Sequence, residues 1–329
     1  MEQDTSVTKP NPVNARIEVA VRLLRNQVFS MLLILILIWI VLALLSPYFF
    51  TVTNLFEITL QSAVFAIIAA GETFVIFSGG IDLSVGSVFA FSAIVGGIFF
   101  RATGSVILAT LTSLATGMAA GIVNGLFISL LRVPPFVATL GMMGIARGLA
   151  LIVVNGIPIY GLSKDYMWIG QGRVAGLIPV PTIVVAAIFV LAYLVLNYTR
   201  FGRFTYAIGS NSESARLSGV NVAGVTLGIY AVAGMLSALA GIIESARLGT
   251  VQPAGGDGYE LLAIGAVVIG GTSLFGGEGN IIGTLIGALL VTTIRNGLNI
   301  LGVYAFWQYV VNGLIIILAV AVDQIRRRR

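Results

Sequence analysis

Apolar residues fill the chain in blocks of about twenty, each closed by a short polar or glycine-rich stretch. A helix needs about 20 mostly apolar residues to cross a bilayer. Windows of that size predict ten spans, at residues 28–45, 55–78, 83–100, 105–130, 136–154, 180–196, 223–243, 258–270, 281–300 and 304–322. The first is the cleanest, because between Met31 and Leu45 the Trp39 indole N–H is the only polar side-chain group. The eighth is short for a crossing.

Positive charge orients these spans, since Lys and Arg gather in cytoplasmic loops. With the N-terminus inside, the inner segments carry Lys9, Arg16, Arg22, Arg25, Arg132, Arg200, Arg203, Arg216 and Arg326 to Arg329. The outer segments carry only Arg101, Lys164, Arg173 and Arg247, while Arg147 and Arg295 fall inside spans. Both termini are therefore expected in the cytoplasm, which requires an even number of spans. The first apolar run ends in Ser46, Pro47 and Tyr48 rather than a small-x-small cleavage site, so it is expected to be an uncleaved anchor. Residues 1–27 read as a cytoplasmic tail, mobile over 1–14, residues 28–325 as one membrane domain, and residues 326–329 as a basic cytoplasmic end.

Composition narrows the function. The chain has 329 residues, 58% hydrophobic and 9% charged, against about 25% charged in a soluble domain, and its mean hydropathy is +1.03. A soluble enzyme, a disordered chain and a nucleic-acid binder are all excluded. The net charge of +5 is sorted by side of the membrane instead of forming a basic groove. Cysteine and histidine are absent, which removes disulfides, thiolate and imidazole chemistry and nearly every zinc or haem site. Neither Lys9 nor Lys164 stands in a phosphate-binding G-x-x-x-x-G-K-[ST] loop. No bound cofactor or metal is expected.

Shifting the chain against itself by 172–176 residues aligns Gly79, Gly80 and Asp82 with Gly255, Gly256 and Asp257, and Asn124–Gly125–Leu126 with Asn296–Gly297–Leu298. Spans two to five would then match spans seven to ten as inverted repeats, a common transporter construction. At the first break Asp82 is expected to open the next helix, and at the second Asp257 and Glu260 have N-cap and N3 spacing. The breaks are either glycine hinges with ordinary caps or borders of a substrate path. Four ionisable residues fall inside or at the ends of spans, where charge is costly. Glu72 is expected to reach water at the inner end of span two, Glu244 and Arg247 to pair three residues apart, and Arg147 and Arg295 to snorkel. Gly117, Gly121 and Gly125 form a double GxxxG pattern, suited to close packing within the chain or between subunits.

The one sizeable inner loop, residues 197–222, holds a short helix signal. Ser210 is expected at its N-cap and Glu213 at N3, with Ala215, Arg216 and Leu217 continuing it and Gly219 ending it. A helix this short is marginal alone in water, so it is expected to pack on the protein's own membrane face or to dock a cytoplasmic partner.

Three segments resemble a known family. They are Ser78–Gly79–Gly80–Ile81–Asp82–Leu83–Ser84–Val85–Gly86–Ser87, then Ala207–Ile208–Gly209–Ser210–Asn211 with Ala215–Arg216–Leu217–Ser218–Gly219–Val220–Asn221, and Gly270–Gly271–Thr272–Ser273–Leu274–Phe275–Gly276–Gly277–Glu278–Gly279. Their order and content resemble the permease subunits of bacterial ABC sugar importers of the ribose type, over about residues 45–323. The resemblance implies an all-α polytopic permease of about ten helices in the inner membrane, similar in fold to the cobalamin importers and working as a dimer, with a second, identical permease the expected partner. It also implies a cytoplasmic ATPase, which would use ATP and Mg, and an extracytoplasmic sugar-binding protein. Residues 198–222 match the family's coupling segment, with Ser210, Asn211, Glu213, Ala215, Arg216, Leu217 and Gly219 facing the ATPase. A path or gate for a neutral sugar would then be bordered by Gly79, Gly80, Asp82, Ser84, Gly255, Gly256 and Asp257, with Thr272, Ser273, Gly276 and Gly277 at an inner gate. An ion-coupled transporter remains the runner-up class, and an intramembrane enzyme a third.

Overall fold

The computed structural model describes residues 27–304 and, beyond them, 306–308, 310–311, 313–314, 317, 320–321 and 324. Twelve helices and one two-stranded hairpin occur among the described residues. They are α1 (Gln27–Leu45), α2 (Val52–Phe77), α3 (Val85–Thr103), α4 (Val106–Ser129), α5 (Pro135–Val153), α6 (Lys164–Gln171), β1 (Arg173–Val174), β2 (Ile178–Pro179), α7 (Val180–Tyr198), α8 (Arg200–Ser210), α9 (Ser212–Leu217), α10 (Val222–Leu248), α11 (Tyr259–Ile269) and α12 (Ile281–Ile300). Eight of them, α1 to α5, α7, α10 and α12, are long and apolar enough to cross a membrane. The expected eighth span is α11, whose 11 residues rise about 16 Å, half the hydrocarbon thickness. The expected tenth span, residues 304–322, is only partly among the described residues, and the tail before residue 27 and the basic end lie outside them.

Local signals explain where the helices start and stop. Thr51, Ser105, Asn221 and Asn280 cap α2, α4, α10 and α12 by accepting from main-chain N–H groups two or three residues on. Gly104 and Gly249, both left-handed at φ 68°, end α3 and α10. Pro135 and Pro181 sit in the first turns of α5 and α7, where a missing N–H costs nothing.

Helices α2 and α10 form the centre and are buried along most of their length. Their polar side chains do not search for water. Ser62, Thr73 and Ser237 donate back to Ile58, Ala69 and Ala233 carbonyls of their own helices, which satisfies hydroxyls in a dry interior. Helix α3 packs on α4 and α10, α12 on α2 and α11, and α1 on the outside of α12. There Trp39 Nε1 donates to Thr293 Oγ1 at 3.2 Å. Large apolar side chains on α1 and α5, among them Leu37, Leu44, Ile145 and Ile152, face outward, as the hydrocarbon of a bilayer requires.

Helix α4 lies on α10 at backbone distance. A Cβ at Gly117 or Gly121 would run into the carbonyl oxygens of Gly234 and Tyr230, and one at Gly125 would lie 2.8 Å from Leu227 Cα. The double GxxxG pattern thus packs within the chain. Gly121→Ala should lower thermal stability in detergent by about 1–3 kcal/mol through overpacking. Gly141→Ala on α5, where an added Cβ meets nothing within 4 Å, should leave the melting midpoint unchanged in the same assay.

Candidate functional site

Between α2 and α3 the chain makes a turn whose polar groups are sealed inside the protein. Helix α3 begins at Val85, so Asp82 does not open it as the sequence suggests. Asp82 instead folds an Asx-type turn, its Oδ1 accepting from Ser84 N–H at 2.8 Å and from Ser84 Oγ. Asn124 of α4 donates its amide to Ser84 Oγ at 2.9 Å. Glu72, one turn and a half before the end of α2, does not reach water. It is fully buried, with Oε1 accepting the Asp82 N–H at 3.1 Å. The reason is geometric: the chain folds back after Gly79, at φ 79°, and lays residue 82 against the preceding helix. Glu72 Oε2, Asn124 Oδ1 and the Tyr230 hydroxyl are buried without a hydrogen-bond partner among the described residues.

The other face of this turn meets the glycine-rich segment and α8, main chain against main chain. Gly277 N–H donates to the Phe77 carbonyl at 3.0 Å. A Cβ on Gly276 would lie 2.7 Å from Gly79 N and 3.0 Å from Gly209 Cα, and one on Gly277 would lie 3.0 Å from Ser210 Cα. A Cβ on Gly209 would strike the Phe77 carbonyl oxygen. Gly79, Gly276 and Gly277, expected separately, therefore form one contact, which Gly209 and Ser210 complete. Thr272 and Ser273 are buried beside it.

The expected short helix is α9, but its cap differs. Ser210 is the last residue of α8, a helix inside the expected inner loop, and Asn211 is the cap, extended at φ −164° and accepting from Ser214 N–H at 2.8 Å. Asn and Ser cap equally well, so only the length of α8 decides between them. The signal for α8 was present in Thr199, its own cap, and in the spacing of Phe201, Thr205 and Ile208. Glu213 pairs with Arg216 through a 3.0 Å hydrogen bond from Nε, and that bond holds the Glu213 carboxyl below its ordinary value. Both side chains are more than 60% exposed, so the pair orients a surface rather than stabilising it. Ala215 is buried, Leu217 is 74% exposed, and Gly219, at φ 85°, ends the helix as expected.

The second break, between α10 and α11, is held differently from the first. Its cap is Gly258 at φ 74°, not Asp257, which is exposed. Arg147 does not snorkel but donates Nη1 to the carbonyls of Pro253 and Gly255, at 3.1 and 2.7 Å. Gly256 packs on the first turn of α3, where a Cβ at Gly86 would overlap the Gly256 carbonyl oxygen. Glu244 and Arg247 pair at 2.9 Å, as expected, and Glu57 lies 3.5 Å from the same guanidinium. Arg295 stacks over the Phe65 ring at 5.0 Å.

The chain resembles known permeases over nearly all its length. A family profile described as "Branched-chain amino acid transport system / permease component" matches residues 54–320. The ribose import permease protein RbsC of Escherichia coli (strain K12) is 46% identical over 298 residues, covering 89% of this chain and 92% of that protein. RbsC of Bacillus subtilis (strain 168) is 46% identical over 293 residues, 88% and 90% of the two chains. The D-allose transport system permease protein AlsC of E. coli (strain K12) is 39% identical over 283 residues, 85% and 86%. No solved structure matches.

Ser84→Ala removes one hydroxyl that serves both Asp82 and Asn124. It should cost about 1–3 kcal/mol, the penalty for leaving buried polar groups unpaired, read as a lower midpoint in detergent melts. Ser218→Ala, which deletes an exposed hydroxyl bonded to Ser214, should change that midpoint little.

Proposed function

The chain belongs to the family of branched-chain amino acid transport system permease components, and on that premise we propose that it is the membrane-spanning subunit of an ATP-driven importer. Its cargo is a monosaccharide, ribose or a similar sugar, delivered by an extracytoplasmic binding protein and released in the cytoplasm. The relatives at 39–46% identity named for ribose and D-allose support a sugar over the amino acid in the family's description.

The observation that carries the transport reading is the contact of α8 with both the turn after α2 and the glycine-rich segment before α12. ATP and Mg bind a partner ATPase, and its closing nucleotide domains pull on α8 and α9. Because Gly209 and Ser210 touch Gly79, Gly276 and Gly277 through main-chain atoms, the pull reaches the inner ends of α2 and α12 with no soft side chain between. Rigid-body tilting then exchanges outward for inward access, and residues 270–279 act as the inner gate. The Lys and Arg distribution favours cytoplasmic termini and ten crossings, with α11 and the turns that flank it as the eighth and the segment after residue 303 as the tenth. The fold is that of the cobalamin importers, with inverted repeats and a second, identical permease.

The sealed Glu72–Asp82 pair is the one feature that favours ion coupling instead, since buried carboxylates mark proton and cation paths. Proteoliposomes separate the two readings. With D-ribose, D-allose and leucine offered, uptake of a sugar should require this chain, its co-expressed ATPase, the binding protein and ATP together. Gradient-driven uptake by this chain alone would falsify the importer reading.

Leu217 is an exposed apolar side chain on the docking helix, the kind of group that anchors interfaces. Leu217→Asp should weaken co-purification of the ATPase by about tenfold or more while the permease itself keeps its melting midpoint.

A further inference from the structure

We propose that a recess of about 180 Å³ between α2, α10, α11 and α12 is a binding site for a single neutral sugar ring, with Gln61, Tyr259 and Arg295 as its recognition groups. The assignment rests on the sugar-import reading above and gives that reading a place of contact that neither glycine break supplies. In the proposed orientation the recess opens at the outward ends of its helices, where cargo from a binding protein would arrive. Its size suits one small ring or a handful of waters.

Two features of the lining point to a polyol. The first is an aromatic platform. The Phe65 and Tyr259 rings lie 4.7 Å apart and tilted by 58°, and the Arg295 guanidinium is stacked over Phe65 at 5.0 Å. A sugar ring carries C–H groups on its faces and hydroxyls on its rim, so a fixed aromatic surface beside polar groups matches it. The second is unused hydrogen-bonding capacity. Among the described residues the Gln61 amide, the Tyr259 hydroxyl and the Arg295 guanidinium make no hydrogen bond, although all three line one cavity. An amide and a phenol can each donate and accept, and a guanidinium offers a planar pair of donors to adjacent oxygens.

Charge selects a neutral ligand. Glu244 and Glu57 are both engaged by Arg247, and with Arg295 the four groups carry no formal net charge. An anionic cargo would find the Arg295 guanidinium already stacked over Phe65, with the Glu244 carboxylate in the same lining. An amino-acid zwitterion would find no free carboxylate for its ammonium group. The adjoining smaller recess shares Glu244 and Tyr259 and reaches Gly255 and Gly256. It continues the site toward the second break, where a path was expected from the sequence.

The test uses the complete importer in proteoliposomes, with the permease carrying Gln61→Ala, Arg295→Lys or Tyr259→Phe and labelled D-ribose or D-allose supplied on the binding protein. With complexes recovered in the same yield, Gln61→Ala and Arg295→Lys should each reduce maximal uptake at saturating loaded binding protein by about tenfold, the scale of one or two well-placed hydrogen bonds. Tyr259→Phe, which deletes one oxygen, should give a smaller loss. That loss should vanish for one member of a series of monodeoxy sugars, the one lacking the hydroxyl that Tyr259 meets. Uptake unchanged in Gln61→Ala and Tyr259→Phe, while the wild type transports, overturns the site and leaves the import reading standing. An equal Tyr259→Phe loss across every deoxy sugar also overturns it, because a purely structural role predicts that pattern. Leucine uptake by the wild type, or no sugar uptake at all, overturns the import reading and the site together.

Discussion

A peptide group inside a bilayer must find its hydrogen bonds within the protein, and the rest of this structure follows from how the chain meets that demand where its helices stop. At two places one helix ends and another begins, and side chains meet the interrupted main chain at both. The turn after α2 is satisfied by carboxylates: Glu72 takes the Asp82 N–H, and Asp82 takes the N–H of Ser84. The turn after α10 is satisfied by a guanidinium, Arg147, which takes the carbonyls of Pro253 and Gly255. One break exposes donors and receives carboxyl oxygens, while the other exposes acceptors and receives a guanidinium donor. Polar residues that look misplaced in an apolar sequence are thus counterparts of interrupted main chain.

Close helix approach makes room for these breaks. Gly117 and Gly234 each lie where the other helix presents a carbonyl oxygen, so α4 and α10 meet at backbone distance. That contact brings Asn124 within reach of Ser84 and places Tyr230 beside Gly80. Packing and polar satisfaction are here the same event, since widening the α4–α10 gap by one methyl group would also pull Asn124 away from the turn.

Much of this was legible in the sequence because it is local. Apolar windows found eight long helices within a few residues, the three-residue spacing of Glu244 and Arg247 anticipated their pair, and Gly117, Gly121 and Gly125 announced a tight helix face. Features that depend on exact chain direction were not legible. Asp82, Asp257 and Ser210 each have the chemistry of an N-cap, yet the cap falls at Ser84, Gly258 and Asn211, since a shift of one to two residues separates a capping side chain from a neighbour. Glu72 looked like an end-of-helix acid because nothing nearby in sequence shows that residue 82 returns to cover it. Gln61, Glu244, Tyr259 and Arg295 come from four helices, and no periodicity joins positions so far apart.

The junction of Gly209, Gly79, Gly276 and Gly277 is made of backbone, and the polar recess at the opposite end of α2 and α12 is made of side chains. In the proposed importer, force transmission would depend on the absence of side chains, and molecular recognition on their presence, in separate parts of one fold. Exchanging an amide for a hydroxyl in the recess leaves the junction's geometry untouched. A permease built in this way would be modular in the engineer's sense, with one drive train serving interchangeable tool heads, so that its cargo could be redesigned without renegotiating the link to its motor.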